Sequence, residues 1–320
     1  MSANLRNFTI LLSGHDKHSD RLLRVLFREM GFGPVDAAIS AEDSTKILDS
    51  KTIDFMVVHS ELTDMGMLGF ITHIRHQAEK SYRRIPIITV LDNPNAHSVR
   101  HAQKAGINEF IAKPFSVGAV YRTVERLIER PRPFVISDVF VGPCRRGHGD
   151  KNHDDRRGKL SKNTAQTLLP DFSLLHKLGK NVTLKQLIPE NTLTQTENQL
   201  SGVREQAVQR IIQISEELLQ ANLGDTYQTR TNANLRELAE QSLEVSSHSG
   251  AFGFKPLVQV SYDLFLILGA HETKSVFPRL AQKHAEVLRY LVHHDMGSGE
   301  GCAPLCEELS IINARYLQSR

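Results

Sequence analysis

An open, doubly wound α/β sheet followed by an antiparallel helical bundle is the architecture these 320 residues predict. Three observations carry it. Short apolar runs alternate five times with helical periodicity over the first 130 residues, a charged segment poor in aliphatics follows, and from Gln199 apolar residues recur at steps of three and four.

The apolar runs lie at 9–13, 35–39, 55–59, 85–90 and 109–112. The run Ile87, Ile88, Thr89, Val90 is too apolar on both faces for a one-sided antiparallel strand and suits a central parallel strand covered above and below. After the first run, Leu22, Leu23, Leu26, Phe27 and Met30 mark one face of a helix. Asp16 and Ser19 are placed to cap that helix, Gly31 to end it, and Ser116 after Pro114 to start the last one. Five such units make a doubly wound sheet, whose ligand site lies at the carboxyl ends of its strands.

Length favours two domains and a connector, placed at 1–130, 131–175 and 176–320. Hydrophobic content of 40% and charged content of 23% are those of a soluble globular protein. No apolar run is long enough to cross a bilayer and the first residues lack a signal-peptide layout, so the expectation is cytoplasmic, with no membrane partner. Three cysteines, Cys144, Cys302 and Cys306, cannot build a disulfide framework. The net charge of +3 is small, and much of the positive charge sits in 145–162 as a solvated linker. With no helix-turn-helix, zinc finger or aromatic platform, nucleic acid is not the expected partner, though binding through that basic stretch stays an alternative. No Gly-rich phosphate loop, nucleophile elbow or His-Glu metalloprotease motif is present, and no enzyme is expected.

The stretches ILLSGHDKHSDRLLRVLFREMGF (10–32), IDFMVVHSELTDMGMLGF (53–70), RIPIITV (84–90) and AGINEFIAKPF (105–115) resemble the CheY-like receiver domain of two-component response regulators. The Lys-Pro pair after the fifth strand, with Ala-Gly before that strand, is the most specific of these. The resemblance implies a pocket at the strand ends. Two acidic residues after the first strand hold a divalent metal and an aspartate ending the third accepts the phosphoryl group. A Ser or Thr ending the fourth strand and a Lys after the fifth bind phosphoryl oxygens.

Carried over by position, the acidic pair falls on Gly14 and His15, with Asp16 one place late. The phosphoacceptor falls on His59 and the hydroxyl residue on Leu91, with Thr89 nearby. Lys113, followed by Pro114, remains, and the Met-Pro turn after the acceptor has become Leu62 and Thr63. A hard cation finds no carboxylate there, so no cofactor is expected. Phosphorylation of His59, or metal binding by His59 with His15, is weighed against a neutral filler histidine at a strand end. Lys113 reads as a structural donor to strand-end carbonyls or to Asp16. Asp64 and Asp92, on flanking loops, can rescue metal binding or merely cap turns. The family docks partners on its fourth helix, fifth strand and fifth helix. Here Val120, Val124 and Ile128 face the core, leaving Tyr121, Arg122, Arg126 and Arg130 outside.

In the second half, Leu200, Val203, Ala207, Ile211, Ile214, Leu218 and Ala221 form one stripe, fit for a bundle helix or a homodimeric coiled coil. Further helices are predicted at 233–247, 256–268, 275–294 and 304–316, separated by polar or glycine-bearing breaks. The runs LEVSSHSGAFGFKPLVQV (243–260) and RLAQKHAEVLRYLV (279–292) are similar to histidine-phosphotransfer (HPt) domains of an alphaproteobacterial kind. That family's His-x-x-Lys pair would fall on Leu243 and Ser246, so this acceptor is also lost. His248 follows without a lysine at the right offset. His284 lies on an apolar stripe and reads as a buried, hydrogen-bonded side chain. His293, His294, Cys302 and Cys306 have the chemistry of a soft metal site but irregular spacing.

The two resemblances together imply a pseudo-receiver scaffold or adaptor whose partner is a histidine kinase, a phosphotransfer protein or another receiver. The alternative is a relay protein phosphorylated at a rescued acceptor, His248 or a pocket using Asp16 and Asp64.

Overall fold

The computed structural model describes residues 4–14, 17–60, 62, 64–92, 94–145, 166–179, 182–221, 232–251, 254–269, 277–294, 309 and 311. The chain forms two compact units, Met1–Leu200 and Ser201–Arg320.

In the first unit, strands β1 (Ile10–Ser13), β2 (Val35–Ala38), β3 (Phe55–Val58), β4 (Ile87–Asp92) and β5 (Glu109–Lys113) pair in parallel, in the order β2-β1-β3-β4-β5. Helices α1 (Lys17–Glu29), α2 (Ala41–Ser50), α3 (Met67–His76), α4 (Ala96–Ala105) and α5 (Val117–Glu129) alternate with them. Every residue of β1 and β3 is buried, and so is β4 up to Leu91, as strands covered on both faces require. The edge strands β2 and β5 are mostly half-buried. Leu22, Leu23, Leu26, Phe27 and Met30 bury the inner face of α1. Gly31 ends that helix in the left-handed conformation, at φ 86°. Ser116 caps α5 by accepting the Ala119 N–H. Ser19 does not cap α1, because the helix already begins at Lys17 and Ser19 is fully buried within its first turn. Asp16, the other candidate cap, lies outside the described residues.

The segment read as a flexible linker, 131–175, is structured at both flanks. Strands β6 (Phe134–Ser137), β7 (Phe140–Pro143) and β8 (Gln166–Leu168) form an antiparallel sheet in the order β7-β6-β8. The charge that suggested a linker is concentrated in 146–165, outside the described residues, whereas the flanks carry Phe134, Val135, Ile136, Phe140 and Val141. β7 packs on α3 and α4. The approach is close: at Gly106, which has φ 105°, an added Cβ would lie 2.9 Å from the Val141 carbonyl oxygen.

Helices α6 (Ser173–Leu178) and α7 (Leu184–Leu187) and the first part of α8 (Glu190–Gln220) complete this unit. The boundary between the units falls inside α8 and not at residue 130 or 175, since β7 packs on α3 and α4 and α6 on α5.

The second unit is a helical bundle of the rest of α8 with α9 (Asn232–Ala251), α10 (Lys255–Gly269) and α11 (Phe277–His294). One core gathers Ile211, Ile214, Leu218, Leu235, Val245, Leu257, Leu264 and Leu288, among others. Of the stripe read above as a bundle helix or a homodimeric coiled coil, Ala207, Ile211, Ile214 and Leu218 are buried, and the last three belong to this core. Of the predicted last helix only Leu309 and Ile311 are described. Among the described residues no helix is long and apolar enough to cross a membrane.

Candidate functional site

The strand ends of a doubly wound sheet are where a ligand site forms. Here β1 ends at Ser13, fully buried, whose Oγ lies 2.9 Å from Ser44 Oγ on α2. The next residue, Gly14, donates its N–H to the Ala38 carbonyl. His15 and Asp16 lie outside the described residues.

His59 follows β3 and donates its backbone N–H to the Ser13 carbonyl, so it sits directly beside the end of β1. Its side chain is 1% exposed, with Nε2 2.8 Å from Asp20 Oδ1 on the first turn of α1. The distance is that of an ion pair, but the alignment is not that of a hydrogen bond: neither ring nitrogen, nor Asp20 Oδ1, has a hydrogen-bond partner among the described residues. The carboxylate also suits the N-terminal turn of a helix. The sequence does not single out Asp20, because the resemblance places its acids directly after β1. Its signal was an acid within the first turn of α1, whose inward phase only the helix start at Lys17 fixes.

The other side of the pocket is closed in a similar way. Leu91 is buried where the resemblance asks for a hydroxyl. Thr89, two residues back on the same strand face, is fully buried about 7 Å short of that position. Lys113 Nζ pairs with Asp92 Oδ1 at 3.0 Å, and Ser60 Oγ donates to Asp92 Oδ2 at 3.1 Å; Asp16, the other partner expected for Lys113, lies outside the described residues. The Lys113–Pro114 peptide is cis. Asp92 is the last residue of β4 and not a loop residue.

Asp64 is directed elsewhere. Its Oδ1 accepts the Ala41 N–H at 2.7 Å and its Oδ2 the Glu42 N–H at 3.0 Å, so it caps the first turn of α2. Those amide bonds, led by Ala41, hold its carboxyl below the usual carboxylate range. Among the described residues no three His, Cys, Asp or Glu side chains converge as a metal site.

Of the face expected for docking, Val120, Val124 and Ile128 are buried as read, and Arg122 and Arg130 are exposed. Tyr121 is not outside: it is 9% exposed and donates to Glu125 Oε1 at 3.2 Å. Burial, with the Glu125 carboxylate beside it, pushes its phenol up to about 12. Arg126 is paired with Glu109, which also holds Arg132.

In the bundle, Leu243 is 40% exposed on α9, while Ser246 is buried and donates to the Val258 carbonyl of α10. The two positions do not share an exposed face. His248 Nδ1 lies 2.9 Å from the Glu244 carbonyl, which makes Nδ1 the protonated nitrogen. His284 is fully buried, with Nδ1 2.8 Å from the Leu280 carbonyl, and burial holds its pKa below the usual 6.5. His293 faces Glu216 and His294 stacks on Tyr290, while Cys302 and Cys306 lie outside the described residues.

A parallel sheet in the order β2-β1-β3-β4-β5, ending in Lys113 and followed by Pro114, is the arrangement expected of the receiver domains the sequence resembles. Residues 10–125 match the family model of the response regulator receiver domain, and the chain carries a CheY-like receiver there. Among similar proteins, the chemotaxis protein CheY-3 of Vibrio cholerae is 22% identical over 125 residues, 39% of this chain and 95% of its own length. CheY of Pseudomonas aeruginosa is 24% identical over 110 residues, 34% of this chain and 87% of that protein. A similar solved structure is the receiver domain of a sensor histidine kinase from Pseudomonas aeruginosa, 23% identical, covering 37% of this chain and 95% of that one with a TM-score of 0.34. A two-component response regulator from Clostridium difficile is 22% identical, covering 39% and 98% with a TM-score of 0.35.

Proposed function

We propose that this protein is a pseudo-receiver scaffold or adaptor of two-component signalling, acting by protein binding and not by carrying a phosphoryl group. The observation that carries the reading is His59, in the place of the acceptor aspartate, buried against Asp20 at 2.8 Å. An imidazole there supplies no carboxylate to attack a phosphoryl donor or to hold Mg²⁺. Two pairings support it: Lys113 has Asp92 as a resident counterion, and Asp64 serves the α2 cap. The partners in this reading are a histidine kinase, a phosphotransfer protein or another receiver, in the cytoplasm, and the protein is not an enzyme. HPt-like ancestry of the bundle, with its acceptor position at the exposed Leu243, is part of the same proposal.

Intact-protein mass after incubation with acetyl phosphate or phosphoramidate and Mg²⁺, beside an active receiver, tests it. The reading expects no added phosphoryl group while the control is labelled. A labelled chain whose label disappears in Asp64→Ala or His248→Ala would establish the relay alternative instead.

A further inference from the structure

Helix α4 carries two histidines one turn apart. His97 and His101 are both exposed, and their ring centroids lie 4.0 Å apart with the planes inclined at 43°. Residues four apart share a helix face, so the pair converges on the solvent side while Ala102 and Ala105 are buried. The backbone beneath the rings is held at both ends. Asn95 Oδ1 accepts the His97 N–H at 3.0 Å and the Ser98 N–H at 2.8 Å, and Gly106 closes the helix in the left-handed conformation.

Other helical histidines of the chain commit a ring nitrogen locally. His76, His248, His284 and His294 each hold Nδ1 on the carbonyl four residues earlier, and His73 meets the Gln77 side-chain amide. His97 and His101 make no side-chain hydrogen bond or ion pair among the described residues; each faces the other ring instead. Two imidazoles bound to one ion at about 2.0–2.1 Å and at a right angle have their centres roughly 4.5 Å apart. The observed 4.0 Å is a small side-chain rotation from that arrangement.

We infer that His97 and His101 chelate a borderline-soft transition-metal ion, of the Cu²⁺, Ni²⁺ and Zn²⁺ class, on the outer face of α4. Imidazole suits these ions, whereas a hard cation such as Mg²⁺ finds no oxygen ligand in the pair. With both rings exposed, the remaining coordination positions are open to water. Arg100 and Lys104 are exposed on the same helix, and their solvated charges, screened by salt, weaken the site without closing it. The site uses no residue of the strand-end pocket, so it stands or falls independently of the adaptor reading.

The test is a Cu²⁺ titration of the full chain, read as paramagnetic broadening of the α4 amide signals, beside His97→Gln, His101→Gln and the double variant. Glutamine is a good helix former and both positions are exposed, so the variants keep the fold, which circular dichroism checks. The Cu²⁺ concentration that half-broadens the Ser98–Lys104 amides is expected to rise at least tenfold in either single variant, with little further rise in the double one, as a chelate requires. Excess Zn²⁺ is expected to relieve the broadening and Mg²⁺ is not, and His73→Gln is expected to change nothing. A smaller rise, equal additive steps from two independently binding rings, or no broadening on α4 overturns the inference.

Discussion

The first unit buries two basic side chains in opposite ways. Arg75, fully buried on α3, donates from Nε to the Gly106 carbonyl and from Nη1 to those of Arg83 and Ile85. Its Nη2 reaches Asn108 Oδ1, and Phe134 lies 5.6 Å away under the guanidinium. No carboxylate is among these partners, and burial lowers its pKa to about 9, which leaves it charged at neutral pH. His59, equally buried, has one close carboxylate and no side-chain hydrogen bond among the described residues. Buried polar groups that hold a fold together are satisfied, and groups left unsatisfied mark a place shaped for something else. Arg75 ties the β6–β7 hairpin to α3 and α4, whereas His59 sits at a strand end with Asp20 beside it.

The contrast has graded consequences. Arg75→Met should cost the most, about 3–5 kcal/mol in urea denaturation, because four acceptors, two of them in fully buried bonds, lose their donor together. A loss below 1 kcal/mol would break the comparison. Gly106→Ala should follow, at about 2 kcal/mol, since its φ of 105° disfavours a side chain and the added Cβ would lie 2.9 Å from Arg75 Cγ. Acid should weaken the bundle by way of His284. Its folded pKa is depressed, so its contribution is complete above pH 6.5 and is lost as pH falls from 6.5 through the folded value. His284→Gln should flatten that part of the stability–pH curve, and an unchanged slope would place the acid sensitivity elsewhere. His59→Leu should change stability least, by about 1 kcal/mol, because no side-chain hydrogen bond is lost but the Asp20 carboxylate loses the imidazole 2.8 Å away. A cost rivalling that of Arg75→Met would make His59 a structural residue.

The same contrast shows what the sequence could and could not disclose. Parallel strands such as Ile87–Asp92 are legible because burial on both faces leaves an apolar run that nothing else in a short segment requires. Gly31 and Ser116 are legible because helix ends use local chemistry. The β6–β7 hairpin is not, since its anchor is a guanidinium some sixty residues earlier in the chain, and a charged stretch after it lends the region the composition of a linker. Among the pocket positions His59, Leu91 and Lys113 were legible by alignment. The contacts of His59 with Asp20 and of Lys113 with Asp92 were not, because those depend on helix phase and strand length. Glu129 and Glu197, each an ordinary helix glutamate in the sequence, accept amides 55 and 80 residues away, which no local pattern announces.

The central claim is that the strand-end pocket is filled by the protein's own side chains and takes neither metal nor phosphoryl group. The most direct measurement is an amide NMR titration of the full chain with Mg²⁺ and then beryllofluoride, a non-covalent phosphoryl mimic, beside an active receiver. The account predicts that the Gly14, His59, Ser60 and Lys113 amides stay in place while those of the control shift and saturate. Saturable shifts confined to those four residues would contradict it and restore the pocket as a working receiver site.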